Sequence, residues 1–346
     1  MTHRAAVAAS VALGAGCGVY PRYLAQAAYG QVDLLSRARP IDEVVRDPET
    51  PLRTAMLLSE LGGIKQYGRS EGLTIARNYT RYTQLTRPAA VWFVGASDPL
   101  AFKPIQRCFP IAGCFPGLGW FDEDDAVANK LELDRMGYDA WVRPASAYST
   151  GGWFPDPVLS TMVGGGDDAL PEFANVILHE SVHATVLVPD EQFFNESLAS
   201  YVADALTNAW IVQRFGPGSP EELAWTFGQA VYLARTARML AVYKDLKALY
   251  DGTLPRDQKL ARKAAIIDEL VADLKIKKRP NNASLNEVKL YNGGAAALLE
   301  AHRTCGDLRS LVTAAKTLRR SDFTKTLQDD LRPIGKLLGE RCRGKN

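Results

Sequence analysis

The sequence lacks a strong net charge and, beyond its first residues, any long apolar run. Its 346 residues include 41 Lys and Arg and 39 Asp and Glu, a formal net charge of +2. No overall electrostatic field would hold nucleic acid, and we expect no such partner. Cysteine is also scarce, with five residues, which excludes a small disulfide-rich fold. With 47% hydrophobic and 23% charged residues, the composition is that of a globular protein with a sizeable core.

The first sixteen residues have the character of a signal peptide. Arg4 is followed by an uncharged stretch of apolar and small residues, 5–16. This stretch is too short to span a bilayer as a helix, but it suits the apolar region of a signal peptide. We therefore expect residues 1–16 to be removed during export.

A single cysteine follows this segment. The pair Ala15 and Gly16 before Cys17 resembles a bacterial lipobox, although Gly14 stands where Leu is usual. We expect lipidation of Cys17 and a lipid-anchored, periplasm-facing protein of the bacterial cell envelope. Gly18, rather than Asp, favours the outer over the inner membrane. The alternatives are an ordinary cleaved signal peptide and an uncleaved anchor.

The four remaining cysteines suit an oxidising compartment. Cys108 and Cys114 enclose a short loop rich in turn-forming residues, which predicts a disulfide. A metal-binding pair is the alternative, but no His or second Cys pair is near in sequence. Cys305 and Cys342 could also pair, although their spacing does not require it.

Periodicity and turn residues predict an α+β protein. Helical spacing over 20–36 and 54–67 is followed by short extended pieces, a helix over 122–136 and an almost continuously helical region from 167 onward. We expect one domain over residues 17–346. Its predicted parts are N-terminal helices (17–86), a mixed α/β part (87–166) and a helical part (167–346).

The chemistry of the sequence is concentrated in one motif. His179, Glu180 and His183 form an H-E-x-x-H pattern in a helix-compatible segment, in a chain with only four His. Residues four apart lie above one another on a helix, so both imidazoles can reach a single ion. Asp167 or Asp168 is suited to cap this helix. The alternative is a pair of partly buried His on an amphipathic helix.

A catalytic zinc site requires a third protein ligand. Glu196 is the best candidate, because a turn after the first helix would let a second helix return beside it. Its N-E-x-x-A context is similar to that of the glutamate ligand in gluzincin peptidases. Asp190, Glu191 and Asp204 are competing carboxylates, and Asn195 is expected to orient the site or cap the second helix.

Further segments carry a resemblance to a known family. The chain resembles the predicted aminopeptidases found as lipoproteins in Gram-negative bacteria, which have a zincin active site. The resemblance covers about residues 17–300. It rests, besides the zinc motif, on LLSRARPIDEV (34–44), CFPIAGC (108–114), YSTGGWF (148–154), DPVLSTM (156–162), the Asn-Asn-Ala run at 281–283 and Tyr291.

This resemblance implies a zincin-like fold with a small mixed sheet and an active-site helix pair. It further implies one Zn²⁺ per chain, bound by His179, His183 and Glu196. Glu180 would be the general base that activates water. Tyr291 is the candidate for stabilising the oxyanion, and the alternative is a tyrosine on an ordinary helix surface.

The expected substrates are peptides. The segment around Gly151 and Gly152 is a candidate edge strand for the substrate backbone, because glycine permits close approach; a structural turn is its alternative. Two other functions stay open: a zinc endopeptidase of cell-envelope proteins, and a non-catalytic envelope lipoprotein. The presence of Glu180 argues against the second.

Overall fold

The computed structural model describes residues 19–75, 78–109, 113–147 and 155–344. The signal peptide, Cys17, Gly151 and Gly152 lie outside these residues. The described chain is mainly helical, with three small sheets. The elements, in chain order, are α1 (Val19–Ser36), β1 (Arg39–Pro40), α2 (Ile41–Arg46), α3 (Leu52–Ser70), β2 (Arg81–Thr83), β3 (Val91–Ser97), β4 (Arg107–Phe109), β5 (Gly113–Phe115), β6 (Gly117–Trp120), α4 (Glu123–Arg135), β7 (Asp139–Ala145), β8 (Val158–Leu159), α5 (Ala169–Thr185), α6 (Gln192–Phe215), α7 (Pro220–Asp251), α8 (Arg256–Leu274), α9 (Asn282–Asn292), α10 (Ala295–Cys305), α11 (Leu308–Ala315) and α12 (Arg332–Arg343).

The longest strands form an antiparallel sheet in the order β6-β3-β7. Val94 of β3 lies opposite Leu118 of β6 and Val142 of β7. Helix α4 packs against this sheet, and a buried apolar cluster lies between them. Asp122 begins α4 by accepting a hydrogen bond from the backbone N–H of Asp125 at 3.0 Å, as expected of an N-cap aspartate.

A second sheet departs from the predicted division of the chain. Strands β1 and β2 lie in the part predicted to contain helices alone, and β2 pairs in parallel with the distant β8. Such short strands carry little periodicity, and their pairing is decided by partners far along the chain. This β1-β2-β8 sheet borders the largest core cluster through Tyr82 and Val158.

Helices α5 and α6 lie at the centre of that largest cluster. Phe173, Ile177 and Val182 of α5 are fully buried, as are Phe194 and Leu198 of α6. The cluster reaches from α1 to α12, so both chain halves hold the helix pair in place. The predicted side-chain cap of α5 is wrong: Asp168 occupies the N-cap position but makes no capping hydrogen bond.

Two disulfides link neighbouring elements. Cys108 pairs with Cys114, where these residues lie opposite each other in β4 and β5. Cys305 of α10 pairs with Cys342 of α12. Among the helices that the structure describes, none combines the length and the apolar character needed to cross a bilayer.

Candidate active site

Helix α5 presents two imidazoles on one face. The Nε2 atoms of His179 and His183 are 3.1 Å apart, and the ring planes are nearly perpendicular. The four-residue spacing accounts for this proximity. Because the opposite face of α5 is fixed in the core, the two nitrogens have little freedom to separate.

Helix α6 carries Glu196, the carboxylate of the cluster. The side-chain amide of Asn195 donates to the carbonyl of Val188 at 2.8 Å, and its oxygen accepts from the Val188 N–H at 2.9 Å. Asn195 therefore ties the connecting loop to α6 and does not cap the helix. One residue later, Oε2 of Glu196 lies 3.3 Å from Nε2 of His179 and 3.5 Å from Nε2 of His183.

The three donor atoms converge on one point. His179, His183 and Glu196 each offer an atom within 4.8 Å of the others. Their side chains are 16%, 18% and 22% exposed, so they are shielded but reachable from solvent. In the described chain, this is the group of His, Cys, Asp and Glu side chains placed to hold a metal ion.

The cluster is strongly coupled electrostatically. Burial alone would lower the pKa of His183, but the Glu196 carboxylate outweighs it and raises that pKa to about 9. Burial likewise opposes ionisation of Glu196, yet the two imidazoles hold the pKa of Glu196 well below its usual range. The carboxylate thus favours the protonated, positively charged form of His183.

Two of the three competing carboxylates bind other protein groups, and the third lies outside the cluster. Glu191 is fully buried; it accepts from the Gln328 N–H at 3.0 Å and lies 3.3 Å from Nε of Arg320. Asp204 accepts from the Asn175 amide at 2.9 Å. Asp190 is also absent from the group that could hold a metal.

Glu180 and Tyr291 are electrostatically coupled to the cluster. The charge of Glu180 acts on His183 and on Tyr291. The Tyr291 ring centre is 6.3 Å from that of His179. The charge of Glu196, then burial, raises the pKa of Tyr291 far above its usual range, so this phenol stays protonated at neutral pH.

The sequence analysis did not identify two further residues next to the site. Arg143 of β7 forms an ion pair with Glu287 of α9, with 2.6 Å between Nε and Oε1. Glu287 precedes Tyr291 by four residues, so helical spacing alone would have placed them on one face. Nothing in the sequence indicated Arg143, because its position depends on the packing of β7 against α9.

A strained tyrosine was also missed. Tyr79 has a φ of 59°, in the left-handed region that residues other than glycine rarely adopt. It is 5% exposed, and its backbone N–H donates to the Asp156 carbonyl at 2.8 Å. Burial, with the charges of Glu180 and Asp156, raises its pKa well above the usual value. The phenol of Tyr79 is therefore electrostatically coupled to Glu180, and backbone strain of this kind is often found at functional sites.

The Cys108–Cys114 hairpin is attached to the site through α6. The amide of Gln192, at the start of that helix, donates to the Cys114 carbonyl at 2.8 Å. Gln192 precedes Glu196 by four residues, one helical turn. The disulfide hairpin thus braces the end of α6 that carries the carboxylate.

The described structure is an α+β protein with a helix-borne His-His-Glu cluster beside a further glutamate. A comparison with known families matches residues 22–328 to the family described as "Putative aminopeptidase". Because this match covers most of the chain, the protein belongs to that family, and the family description points to peptidase activity. Searches of curated proteins and of solved structures find no match.

Proposed function

We propose that the protein is a zinc-dependent peptidase that acts as an aminopeptidase. The observation that carries the proposal is the convergence of His179, His183 and Glu196 from two packed helices, with Glu180 beside them. Two imidazole nitrogens and one carboxylate oxygen form a ligand set used by catalytic zinc, and they leave a coordination position open.

The donor chemistry supports an ion at this point. Three electron-pair donors buried close together repel one another unless a proton or a cation lies between them. In the zinc-bound protein, His179, His183 and Glu196 would hold the ion. Zinc would supply Lewis acidity, which polarises a peptide carbonyl and makes a water molecule more acidic.

Glu180 and Tyr291 supply the remaining functions in this proposal. Glu180 lies on α5 about 100° around the helix from His179, and it is not one of the three donor residues. It accepts the proton of the attacking water and passes it to the leaving amine. Tyr291 keeps its proton and donates a hydrogen bond to the developing oxyanion.

The cellular location belongs to the same proposal. The apolar segment at 5–16 and the lipobox-like residues before Cys17 support export and lipid anchoring in the bacterial envelope. The two disulfides are consistent with an oxidising compartment. Peptides are the proposed substrates, and Gly151 and Gly152 stay candidates for backbone contact.

The proposal is tested with Glu180→Gln. This variant keeps the shape of the side chain and the three ligands, so we expect unchanged zinc content and a loss of about a hundredfold or more in peptide hydrolysis. The control is Glu172→Gln, an exposed position on the same helix about two turns before His179, which should retain activity. Full activity of Glu180→Gln would assign the base to another residue.

Whether the protein removes amino-terminal residues or cleaves internal bonds requires a separate measurement. A library of peptides with free amino termini is compared with the same library after amino-terminal acetylation, and products are identified by mass spectrometry. An aminopeptidase releases single residues from the free peptides and leaves the acetylated ones intact. Internal cleavage of both libraries would show an endopeptidase.

A further inference from the structure

Arg143 links the central sheet to the candidate active site. It lies in the middle of β7, opposite Phe93 of β3, and its guanidinium is 5.5 Å from the centre of the Phe93 ring. Its Nε is 2.6 Å from Oε1 of Glu287 on α9. The Glu287 side chain is 17% exposed and that of Arg143 is 34% exposed. The ion pair is therefore partly sheltered, and its arginine is held from two sides.

The same guanidinium lies near Tyr291. Glu287 and Tyr291 are four residues apart on α9 and share one face, which is the face that Arg143 approaches. The Arg143 guanidinium is within electrostatic reach of the Tyr291 side chain as well as bound to Glu287. A guanidinium has several donors in a rigid planar fork, so one arginine can bind both groups at once.

The direction of a hydrogen bond between Arg143 and Tyr291 follows from the groups themselves. A guanidinium has no acceptor, so the Tyr291 oxygen must accept. The phenolic proton is then left to donate elsewhere. Groups of the candidate metal site are close to this hydroxyl, because the Tyr291 ring centre lies 6.3 Å from that of His179 and the charge of Glu196 acts on the phenol.

We propose that Arg143 is a positioning residue that, held by Glu287, turns the Tyr291 hydroxyl so that its proton faces the reacting carbonyl. This inference rests on the proposed peptidase function. A hydroxyl that is already oriented stabilises developing charge without reorganising during the reaction. A hydrogen bond received from a cation also makes the hydroxyl a stronger donor.

A double-mutant cycle separates positioning from a general structural role. The variants are Arg143→Met, which keeps an unbranched stem over Phe93, Tyr291→Phe, and the two together. We expect Tyr291→Phe to lose about a hundredfold in kcat and Arg143→Met to lose about tenfold, with KM changed less than about twofold. Because Arg143 acts through the phenol oxygen, it should have almost no further effect in the Tyr291→Phe background.

A second readout does not depend on catalysis. The ¹³Cζ resonance of labelled tyrosine reports hydrogen bonding at the phenol oxygen, and Tyr291→Phe identifies the Tyr291 signal. In zinc-free protein, this signal should shift in Arg143→Met. It should stay in place in Lys278→Met, which removes a cation from the same side of the sheet, where Lys278 lies 4.0 Å from the Trp141 ring centre.

A further pair of variants guards against misfolding. Arg143→Met leaves the Glu287 carboxylate unpaired, so Arg143→Met/Glu287→Gln is made in parallel to remove both charges. If the single variant does not fold, the cycle and the resonance measurement are carried out with this pair. Arg143→Lys should restore part of kcat at most, since an ammonium is not a planar fork.

The outcomes are distinguishable. If Arg143→Met lowers kcat equally in both backgrounds, or leaves the Tyr291 resonance unshifted, the positioning role is wrong while the peptidase function stands. If the wild-type protein with zinc shows no hydrolysis that Glu180→Gln abolishes, the proposed function is wrong, and the inference falls with it. Loss of Arg143 dependence in Tyr291→Phe, together with the shifted resonance, supports the inference.

Discussion

Asp204 should destabilise the folded protein at neutral pH. It lies on α6 two helical turns after Glu196 and accepts a hydrogen bond from Asn175 at 2.9 Å. Burial raises the pKa of Asp204 from 3.8 to about 6, although the Asn175 amide and the charge of His179 partly oppose this. The folded state therefore binds the proton of Asp204 more tightly than the unfolded chain does.

The sign of the pH effect follows from this difference. Well below pH 3.8, Asp204 is protonated in both states and contributes no penalty. As the pH rises through about 6, the unfolded chain is already ionised and the folded state must ionise a sheltered carboxyl. A difference of about two pKa units corresponds to about 3 kcal/mol of lost stability above that range.

Asp204→Asn removes the ionisation and keeps an oxygen for the Asn175 amide. We expect the free energy of unfolding of zinc-free protein to rise by about 1–3 kcal/mol at pH 7.5 and to change little at pH 4. Urea unfolding followed by circular dichroism measures both values. Asp245→Asn, at an exposed position on α7, is the control and should alter stability by less than about 0.5 kcal/mol. A destabilised Asp204→Asn protein at pH 7.5, or a gain that does not depend on pH, would refute the reasoning.

Two further predictions concern the metal ligands and the packing beside them. Glu196→Gln should weaken zinc binding more than about a hundredfold, whereas Glu191→Gln should destabilise the protein but still bind zinc, because the Glu191 carboxylate contacts protein groups. Calorimetric titration of zinc into both variants tests this, and the reverse order of affinities would contradict the ligand set. Gly294→Ala should lower stability by about 1–3 kcal/mol, since an added Cβ would lie 2.5 Å from a leucine methyl carbon. Gly228→Ala, a helical position with nothing within 4 Å, should instead stabilise by about 0.5–1 kcal/mol, and thermal unfolding that shows equal effects would falsify the packing argument.

Local spacing determined the core of the candidate site. His179 and His183 converge because a helix repeats every 3.6 residues, and their sequence separation alone implies this. The amphipathic pattern of the same segment predicts which side faces the interior. The prediction of Glu196 required one further assumption, that the next helix returns beside the first. The short connection between the two helices favours that arrangement.

Tertiary packing decided the contacts of the carboxylates around the site. Asp190, Glu191 and Asp204 are equivalent to Glu196 in chemistry and similar to it in distance along the chain. Glu191 is instead directed to Arg320 and Gln328, and Asp204 to Asn175, while Asp190 is not among the residues grouped to hold a metal. Those partners are separated from the carboxylates by 29 to 137 residues along the chain. Local periodicity in the sequence cannot predict contacts between residues so far apart.

The surroundings of Tyr291 likewise depend partly on local spacing and partly on tertiary packing. Its helical relation to Glu287 can be read from a spacing of four, whereas the approach of Arg143 joins positions 144 residues apart. The sequence by itself determined the elements that carry the chemistry, because hydrogen bonding within a helix fixes side chains three and four residues apart. Only the tertiary structure decided which side chains from other elements meet them, because those contacts depend on how the apolar faces of α5, α6, α9 and β7 are buried together.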